Sequence, residues 1–365
     1  MTIRYGLIGA GMMGQEHIRN LALIEGASIA ALAEPDAAMR RDSLALAGGG
    51  ARAFTDHREL LSADLCDAYV IATPNDTHHD VMLDVLATGK PILCEKPLAT
   101  TSFDCREILR RADDRAAPVW VAMEYRYMAP VQRLLAELAA GTAGPPRMIS
   151  IREHRFPFLP KVGDWNRFNR RTGGTLVEKC CHFWDLMRLA MQDDPVRVYA
   201  SGAMDVNHVD EVYDGQAPDI IDNAYVIVDF ASGTRGMLDL CMFAEGSAWQ
   251  EVISVTGPRA RVDACVPGPA RFAPGGVQRP SQVVISDRTT KAEQIEQVEE
   301  DPRILGAGDH HGSTYHQHRR FFDLVRTGRG TPEVTLRDGL WSVRVGEAAE
   351  LSARTGAAID LREGL

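Results

Sequence analysis

Within the first fourteen residues, an apolar run over 3–8 leads into Gly9-Ala10-Gly11-Met12-Met13-Gly14, and a pattern of helical period follows over 14–24. Gly9 permits a tight turn at the end of a strand, Gly11 lets backbone approach a pyrophosphate, and Gly14 allows a helix to pack closely on that strand. A helix starting there offers unpaired N–H groups and the positive end of its dipole to an anion. Glu34 stands twenty residues beyond Gly14, after a second strand over 27–33, where a carboxylate can accept both hydroxyls of an adenosine ribose. A 2'-phosphate at that place would meet like charge, so NAD is the expected cofactor. Arg40 and Arg41 close by leave NADP as the less favoured choice.

The first third alternates short β-branched runs with helical patterns: strands over 3–8, 27–33, 68–73, 91–94 and 118–123, helices over 14–24 and 80–88. Alternation of that kind predicts an α/β fold, a doubly wound parallel sheet with helices on both faces. A helix over 130–140 starts something new, and we place the domain boundary at Glu124, giving domains 1–124 and 125–365. From Met148 the runs lengthen and alternate, and segments 224–230 and 235–243 are joined by Ala231-Ser232-Gly233-Thr234, a hairpin signature. The second domain is therefore expected to carry an antiparallel sheet. The Pro/Gly-rich stretch 257–280 and the acidic stretch 293–301 read as solvated loops. Ser313 caps a helix running through Val325, and another is expected over 336–353.

A formal charge of -10 without a basic run disfavours nucleic acid and anionic membrane surfaces as partners. The start lacks the charged-then-apolar-then-cleavage pattern of a signal peptide, and no apolar stretch reaches bilayer length, so the expected location is the cytoplasm. Seven cysteines without regular spacing fit a reducing compartment better than a disulfide framework.

Only five lysines stand against thirty-five arginines, and Lys96 sits in Cys94-Glu95-Lys96-Pro97 at the end of an apolar run. An ammonium can change its protonation with its surroundings, whereas a guanidinium does not. Farther on, Gly173-Gly174-Thr175 precedes a helical pattern over 176–189, in which Glu178, His182 and Asp185 would share one face. An imidazole can accept a hydroxyl proton there, and the carboxylates can orient it. Cys180, Cys181 and His182 lack the spacing of a zinc site, and no metal is expected. His310, His311, His316 and His318 form a second cluster; His311 could reach a cleft, but polar surface is the simpler reading of all four.

Together these residues resemble the Gfo/Idh/MocA family of nicotinamide-dependent oxidoreductases. The likeness rests on Gly9 to Gly14, on Thr73-Pro74-Asn75-Asp76-Thr77-His78, and on Gly89-Lys90-Pro91 through Ala99. It is supported by Tyr125-Arg126-Tyr127 through Pro130, Trp165 to Arg167 before Gly173-Gly174, and the Gly312-Ser313 helix start. The resemblance implies a Rossmann domain followed by an α/β domain with a large open, mostly antiparallel sheet, which would mediate a homodimer or homotetramer. Helices over about 313–355 would return to the first domain. It implies cofactor contacts from Gly9, Gly11, Met12, Met13, Gly14, Glu34, Thr73, Pro74, Asn75, His78, Glu95 and Lys96. Lys96, His182 and Glu178 would be catalytic, Glu178 standing where the family usually has aspartate. Lys179 and the cysteine pair also depart from the usual small apolar residues. Arg126, His154, Arg155, Trp165 and Asn166 join Lys96, Glu178 and His182 as candidates for the substrate wall. The implied activity is oxidation of a secondary alcohol of a sugar, inositol or related polyol. The alternatives are a glycoside hydrolase of the same family that uses NAD transiently, and a catalytically silent NAD(P)-sensing regulator.

Overall fold

Strand β1 (Ile3–Ile8) is buried along nearly its whole length, as a parallel strand covered on both faces must be. The computed structural model describes residues 2–362. After β1 come α1 (Met12–Leu21), β2 (Ala27–Ala33), α2 (Ala37–Ala47), β3 (Arg52–Phe54), α3 (His57–Ser62), β4 (Ala68–Ile71), α4 (His78–Leu86), β5 (Ile92–Cys94), α5 (Ser102–Ala112) and β6 (Val119–Val121). The six strands pair in the order β3-β2-β1-β4-β5-β6, all parallel. Strand order reverses between β1 and β4, and the crevice beyond the carboxyl ends of these strands is where such sheets take their ligands.

The second domain contains α6 (Ala129–Ala139), β7 (Met148–His154), α7 (Asn169–Thr172), α8 (Thr175–Glu178), α9 (Cys181–Met191), β8 (Pro195–Ala203), β9 (Asn223–Phe230) and β10 (Arg235–Cys241). There follow β11 (Glu251–Thr256), β12 (Ala260–Val266), β13 (Ser281–Asp287), β14 (Glu293–Val298), α10 (Pro302–Leu305), α11 (Ser313–Thr327), α12 (Leu336–Thr355) and β15 (Ile359–Asp360). Nine strands lie in the order β14-β13-β12-β11-β7-β10-β9-β8-β15, antiparallel except for β7 beside β10. Alternation sorts the two faces. In β9, Ala224, Val226, Val228 and Phe230 point inward toward a helical layer, while Tyr225 and Ile227 face outward. The β9–β10 hairpin forms where its turn residues place it, with the Phe230 N–H donating to the Thr234 carbonyl at 3.0 Å.

Helix α12 is shared between the domains. Its Gly339 abuts Leu98 and Val121 of the first, and its Gly346 abuts Leu176 and Val177 of the second, where an added Cβ would fall within about 3 Å of neighbouring atoms. Glu347 accepts from the Ser102 N–H and Glu350 from the Leu176 N–H, so both sides are also fastened by hydrogen bonds. A capping box between Thr335 and Asp338 starts the helix. Helix α11 packs on α1.

Two stretches expected as loops are partly strand. Segment 257–280 contains β12, and the acidic stretch contains β14, an edge strand whose exposed glutamates suit a position where charge blocks further pairing. Among the described residues no helix is long and apolar enough to cross a membrane.

Candidate active site

A cavity of about 940 Å³ lies beyond the carboxyl ends of β1, β2, β4 and β5. Its floor is the glycine turn. Gly9 holds φ +86°, and a Cβ there would sit 2.5 Å from the Ala72 carbonyl oxygen; at Gly14 it would sit 2.3 Å from the Gly9 carbonyl oxygen. At Gly11 a Cβ would meet nothing within 4 Å, so the space that glycine keeps clear opens into the cavity. The first turn of α1 has no side-chain cap, which leaves its N–H groups to a ligand. Glu34 lines the same cavity, its Oε2 accepting from the Ala10 N–H at 2.8 Å and its Oε1 from the Asp36 N–H at 2.9 Å. Arg40 is turned onto the carbonyls of Glu34 and Pro35, and Arg41 pairs with Asp42; neither lines the cavity. Open space at Gly11 with a carboxylate at the ribose end fits NAD, and the engaged arginines do not offer NADP a second phosphate site.

Met12, Met13, Thr73, Pro74, Asn75, His78, Glu95 and Lys96 line this cavity as well; Gly14 lies behind the turn. His78 is fully buried, with Nδ1 2.7 Å from the Pro97 carbonyl oxygen and Nε2 2.9 Å from that of Thr73. It therefore ties the Thr73 turn to the loop that carries Lys96. Glu95 is fastened from the other side by His17 Nε2 of α1 at 3.0 Å, and His17 in turn meets His318 at 2.8 Å.

A second cavity of about 390 Å³ adjoins the first, and Met12, Met13, Lys96, Lys161 and Glu178 belong to both. The helical pattern over 176–189 is interrupted at Lys179 and Cys180, between α8 and α9. At that break the Glu178 carbonyl accepts from Lys96 Nζ at 3.4 Å and from Cys181 Sγ at 3.3 Å. Glu178 and His182 still line the pocket, but Asp185, one turn beyond His182 in α9, does not; it pairs with Arg126.

His182 is 2 % exposed and lies flat on the Tyr125 ring, centroids 4.0 Å apart and planes 6° from parallel. Lys179 Nζ fixes that ring, donating to Tyr125 Oη at 2.6 Å and pairing with Glu153 at 2.9 Å. Burial pushes the His182 imidazole well below its usual range, and the neighbouring Lys96, Lys179, His310 and Arg155 push the same way. His182 is thus neutral and able to accept a proton. For Lys96 burial alone would favour the amine, but Cys181, Glu124, Glu95 and Glu178 outweigh it and hold the ammonium above its usual range. Burial raises the Glu178 carboxyl against the opposing pull of Lys96 and Lys161.

On the far wall Glu16 accepts from His310 at 2.7 Å and from Thr314 Oγ1 at 2.9 Å. Burial would raise Glu16, but His310 and Thr314 bring it down to about 2, and despite its own desolvation Glu16 lifts His310 to about 9. The carboxylate stabilises the fold above its unfolded value near 4.5 and loses that contribution as pH falls toward 2. The imidazolium contributes below about 6.5 and loses it as pH rises through 9. The pair is therefore at full strength between about pH 4.5 and 6.5. Glu16→Gln should cost about 3 kcal/mol, the low end for one broken buried pair because His310 retains some exposure. Urea unfolding at pH 6 and pH 10 checks this; an equal loss at both values would refute it.

Several expected wall residues lie elsewhere. Arg126 is buried in a fork to Asp185, both contacts 2.5 Å, with Nη1 donating to the Glu333 carbonyl at 2.7 Å, and it lines neither cavity. His154 is turned away by strand alternation: Ile149, Ile151 and Glu153 of β7 face inward, while His154 meets Asp239 on the opposite face. Asn166 is wholly buried and donates to the Leu159 carbonyl at 3.0 Å. Trp165 does line the dinucleotide cavity and Arg155 the inner pocket. The histidine cluster is not surface either, since His310 and His311 line the pocket and His318 is buried; His316 pairs with Glu300.

Glu16, Lys161 and Glu251 escaped the sequence reading, and Glu124 and Tyr125 entered it only as a domain boundary and a family match, not as pocket residues. Glu124 had a legible signal, since it follows β6 at the same sheet end as Lys96 follows β5. Among the described residues no group of three His, Cys, Asp or Glu side chains could hold a metal ion.

Residues 3–123 match the profile of an oxidoreductase family's NAD-binding Rossmann fold, and residues 136–361 match its C-terminal alpha/beta domain. Myo-inositol 2-dehydrogenase of Thermotoga maritima is 25% identical over 366 residues, covering 99% of each chain. The rhizopine catabolism protein MocA of Rhizobium meliloti is 29% identical over 256 residues, 70% of this chain and 76% of that one. A solved levoglucosan dehydrogenase, in complex with NADH and levoglucosan, shares the fold with a TM-score of 0.83 at 18% identity, both chains covered in full. With both family domains matched in order over a cleft that suits the dinucleotide, the chain belongs to the Gfo/Idh/MocA family of NAD-dependent oxidoreductases.

Proposed function

We propose that this enzyme oxidises a secondary alcohol of a sugar, inositol or related polyol, with His182 as the base that takes the hydroxyl proton and Lys96 as the cation that stabilises the developing alkoxide. The observation that carries the reading is convergence: Lys96 and Glu178 line both the dinucleotide cavity and the inner pocket, and His182 lines the pocket beside them. NAD, when bound, supplies the hydride acceptor. Gly9, Gly11 and the α1 N-terminus would hold its pyrophosphate and Glu34 its ribose, while Asn75, Glu95 and Lys96 would border its reactive end. The Lys96 ammonium lowers the cost of negative charge on the substrate oxygen. His182, neutral and stacked on Tyr125, has an Nδ1 without a hydrogen-bond partner to meet the hydroxyl proton. Glu178 has an oxygen without a hydrogen-bond partner, which a second substrate hydroxyl would satisfy, and Arg155 and Trp165 would complete the wall. The names of the myo-inositol and levoglucosan dehydrogenases support a polyhydroxylated substrate of this size.

The outward face of the large sheet supports assembly into a homodimer or homotetramer. Tyr199, Ile227 and Met237 are consecutive cross-strand neighbours there and each is exposed. The seven thiols, all free, suit work in the reducing cytoplasm.

A screen of polyols, aldoses and lactones with NAD, read at the absorbance of reduced nicotinamide, tests the reading. Stoichiometric NADH is expected for at least one polyol. Turnover of a glycoside without NADH would move the assignment to transient use of the cofactor, and silence on every compound would abandon it.

A further inference from the structure

Glu124 opens the turn after β6 and is 1 % exposed, yet neither of its carboxyl oxygens has a hydrogen-bond partner. Buried carboxyls are normally satisfied, and one left open in a pocket wall calls for a physical reason. Its Oε1 lies 3.7 Å from His182 Nε2, and both residues line the inner pocket with Lys96. Tyr125, the next residue along the chain, stacks under the imidazole, so the backbone that positions the carboxyl also positions the ring.

We propose that Glu124 takes the substrate's proton on from His182, so that the acid–base group of this site is the Glu124–His182 pair and not the imidazole alone. This rests on the reading that His182 receives that proton. The chemistry gives the pair a purpose. With Lys96, Lys179, His310 and Arg155 around it, an imidazolium at His182 is costly, and a lone His182 would be a weak acceptor. The groups facing Glu124 are Glu95 and Lys96 from the loop after β5, Cys181 and His182 from α9, His310 from the loop before α11, and its neighbour Tyr125. Burial and Glu95 raise the carboxyl to about 7 against the pull of His310 and Lys96, which makes it the better resting place for a proton.

The step balances without any further reactant. The alcohol O–H bond breaks as an N–H bond forms on His182, and the carbinol hydrogen leaves with its electron pair to NAD. The imidazolium draws the carboxylate into a charge-assisted hydrogen bond, N–H breaks as O–H forms on Glu124, and the ring is neutral again. Solvent takes the proton when the product leaves.

Two measurements test this. In the protein alone, infrared difference spectra across pH 5–9 should show carboxylic acid C=O absorption lost with a midpoint near 7, and Glu124→Gln should remove part of it, the remainder belonging to Glu251 and Glu350, which burial raises to the same region. In turnover, kcat of the wild type should rise as pH increases through the same region, because the carboxyl must be ionised to accept. Glu124→Gln should lower kcat about 100-fold, within the range for one acid–base group, and flatten that rise while the Kd for NADH stays within about twofold. Glu124→Asp, which keeps the acid on a shorter arm, should restore the rise at reduced rate and serves alone if the glutamine variant does not fold. Carboxylic acid absorption undiminished in Glu124→Gln, or a rise that survives in it, would overturn the proposal while polyol oxidation by the wild type still stood. A wild type inert on every polyol would sink the underlying reading and this inference with it.

Discussion

His182→Ala is expected to lower kcat by about 10²–10⁴-fold, the usual worth of a positioned base, and Lys96→Ala by about 10²–10³-fold, that of one donor aimed at a developing oxyanion. The two should not add in full, because both act on one oxygen in one step. KM for the polyol should move less than kcat in both, since each group does most when charge develops. The His182 variant should bind NADH as the wild type does, because His182 lines the inner pocket and not the dinucleotide cavity. Lys96 lines both, so a change of up to about fivefold in its Kd, ~1 kcal/mol, is compatible with the assigned role. Stopped-flow absorbance of NADH with saturating substrate measures the first effect, and fluorescence titration with NADH the second. Wild-type turnover in either variant would remove that residue from the mechanism.

The largest stability effect is expected from Arg126→Leu, which leaves the Asp185 carboxylate buried without its guanidinium. Loss of one member of a buried pair costs about 3–5 kcal/mol, and with about 2.1 cal/mol/K of unfolding entropy per residue the melting temperature should fall by roughly 5 °C. Substituting Asp185→Leu in addition should recover most of that, because a pair replaced by apolar side chains no longer carries an uncompensated charge. Specific activity of the folded Arg126 variant should stay within a few-fold of wild type, since Arg126 lines neither cavity. Calorimetry and an assay below the transition separate the two effects. A collapse of kcat in a protein that melts normally would return Arg126 to the substrate wall.

The parallel sheet and the cofactor turn were legible because each rests on short-range signals. Gly9, Gly11 and Gly14 are read at fixed offsets after an apolar strand, and Glu34 at fixed distance from them. The hairpin over 224–243 was equally local. The inner pocket was less legible, for it is assembled from residues far apart in the chain: Glu16 meets His310, and Glu124 meets His182. Helical spacing grouped Glu178, His182 and Asp185, but the helix is interrupted at Lys179 and Cys180, between Glu178 and His182, where no proline or glycine announces a break, and Asp185, within α9, is taken by Arg126. His154 failed for the opposite reason. It was chosen by chemistry, and strand alternation, a period-two rule available in the sequence, puts it on the other face of β7. The acidic run over 293–298 was misassigned because solvated loops and exposed edge strands draw on the same residues.

Helix α12, wedged behind both the Leu98 loop and the Val177 turn, gives the molecule an order of manufacture. The lysine loop and the imidazole helix leave the ribosome early, but the strut that sets their spacing is translated after them, ending at Thr355. A nascent chain that ends before α11 and α12 therefore lacks part of the first domain's core as well as its strut, since Phe321, Phe322 and Val343 belong to that core. Both halves of the cleft thus wait for the same late segment of chain to close behind them.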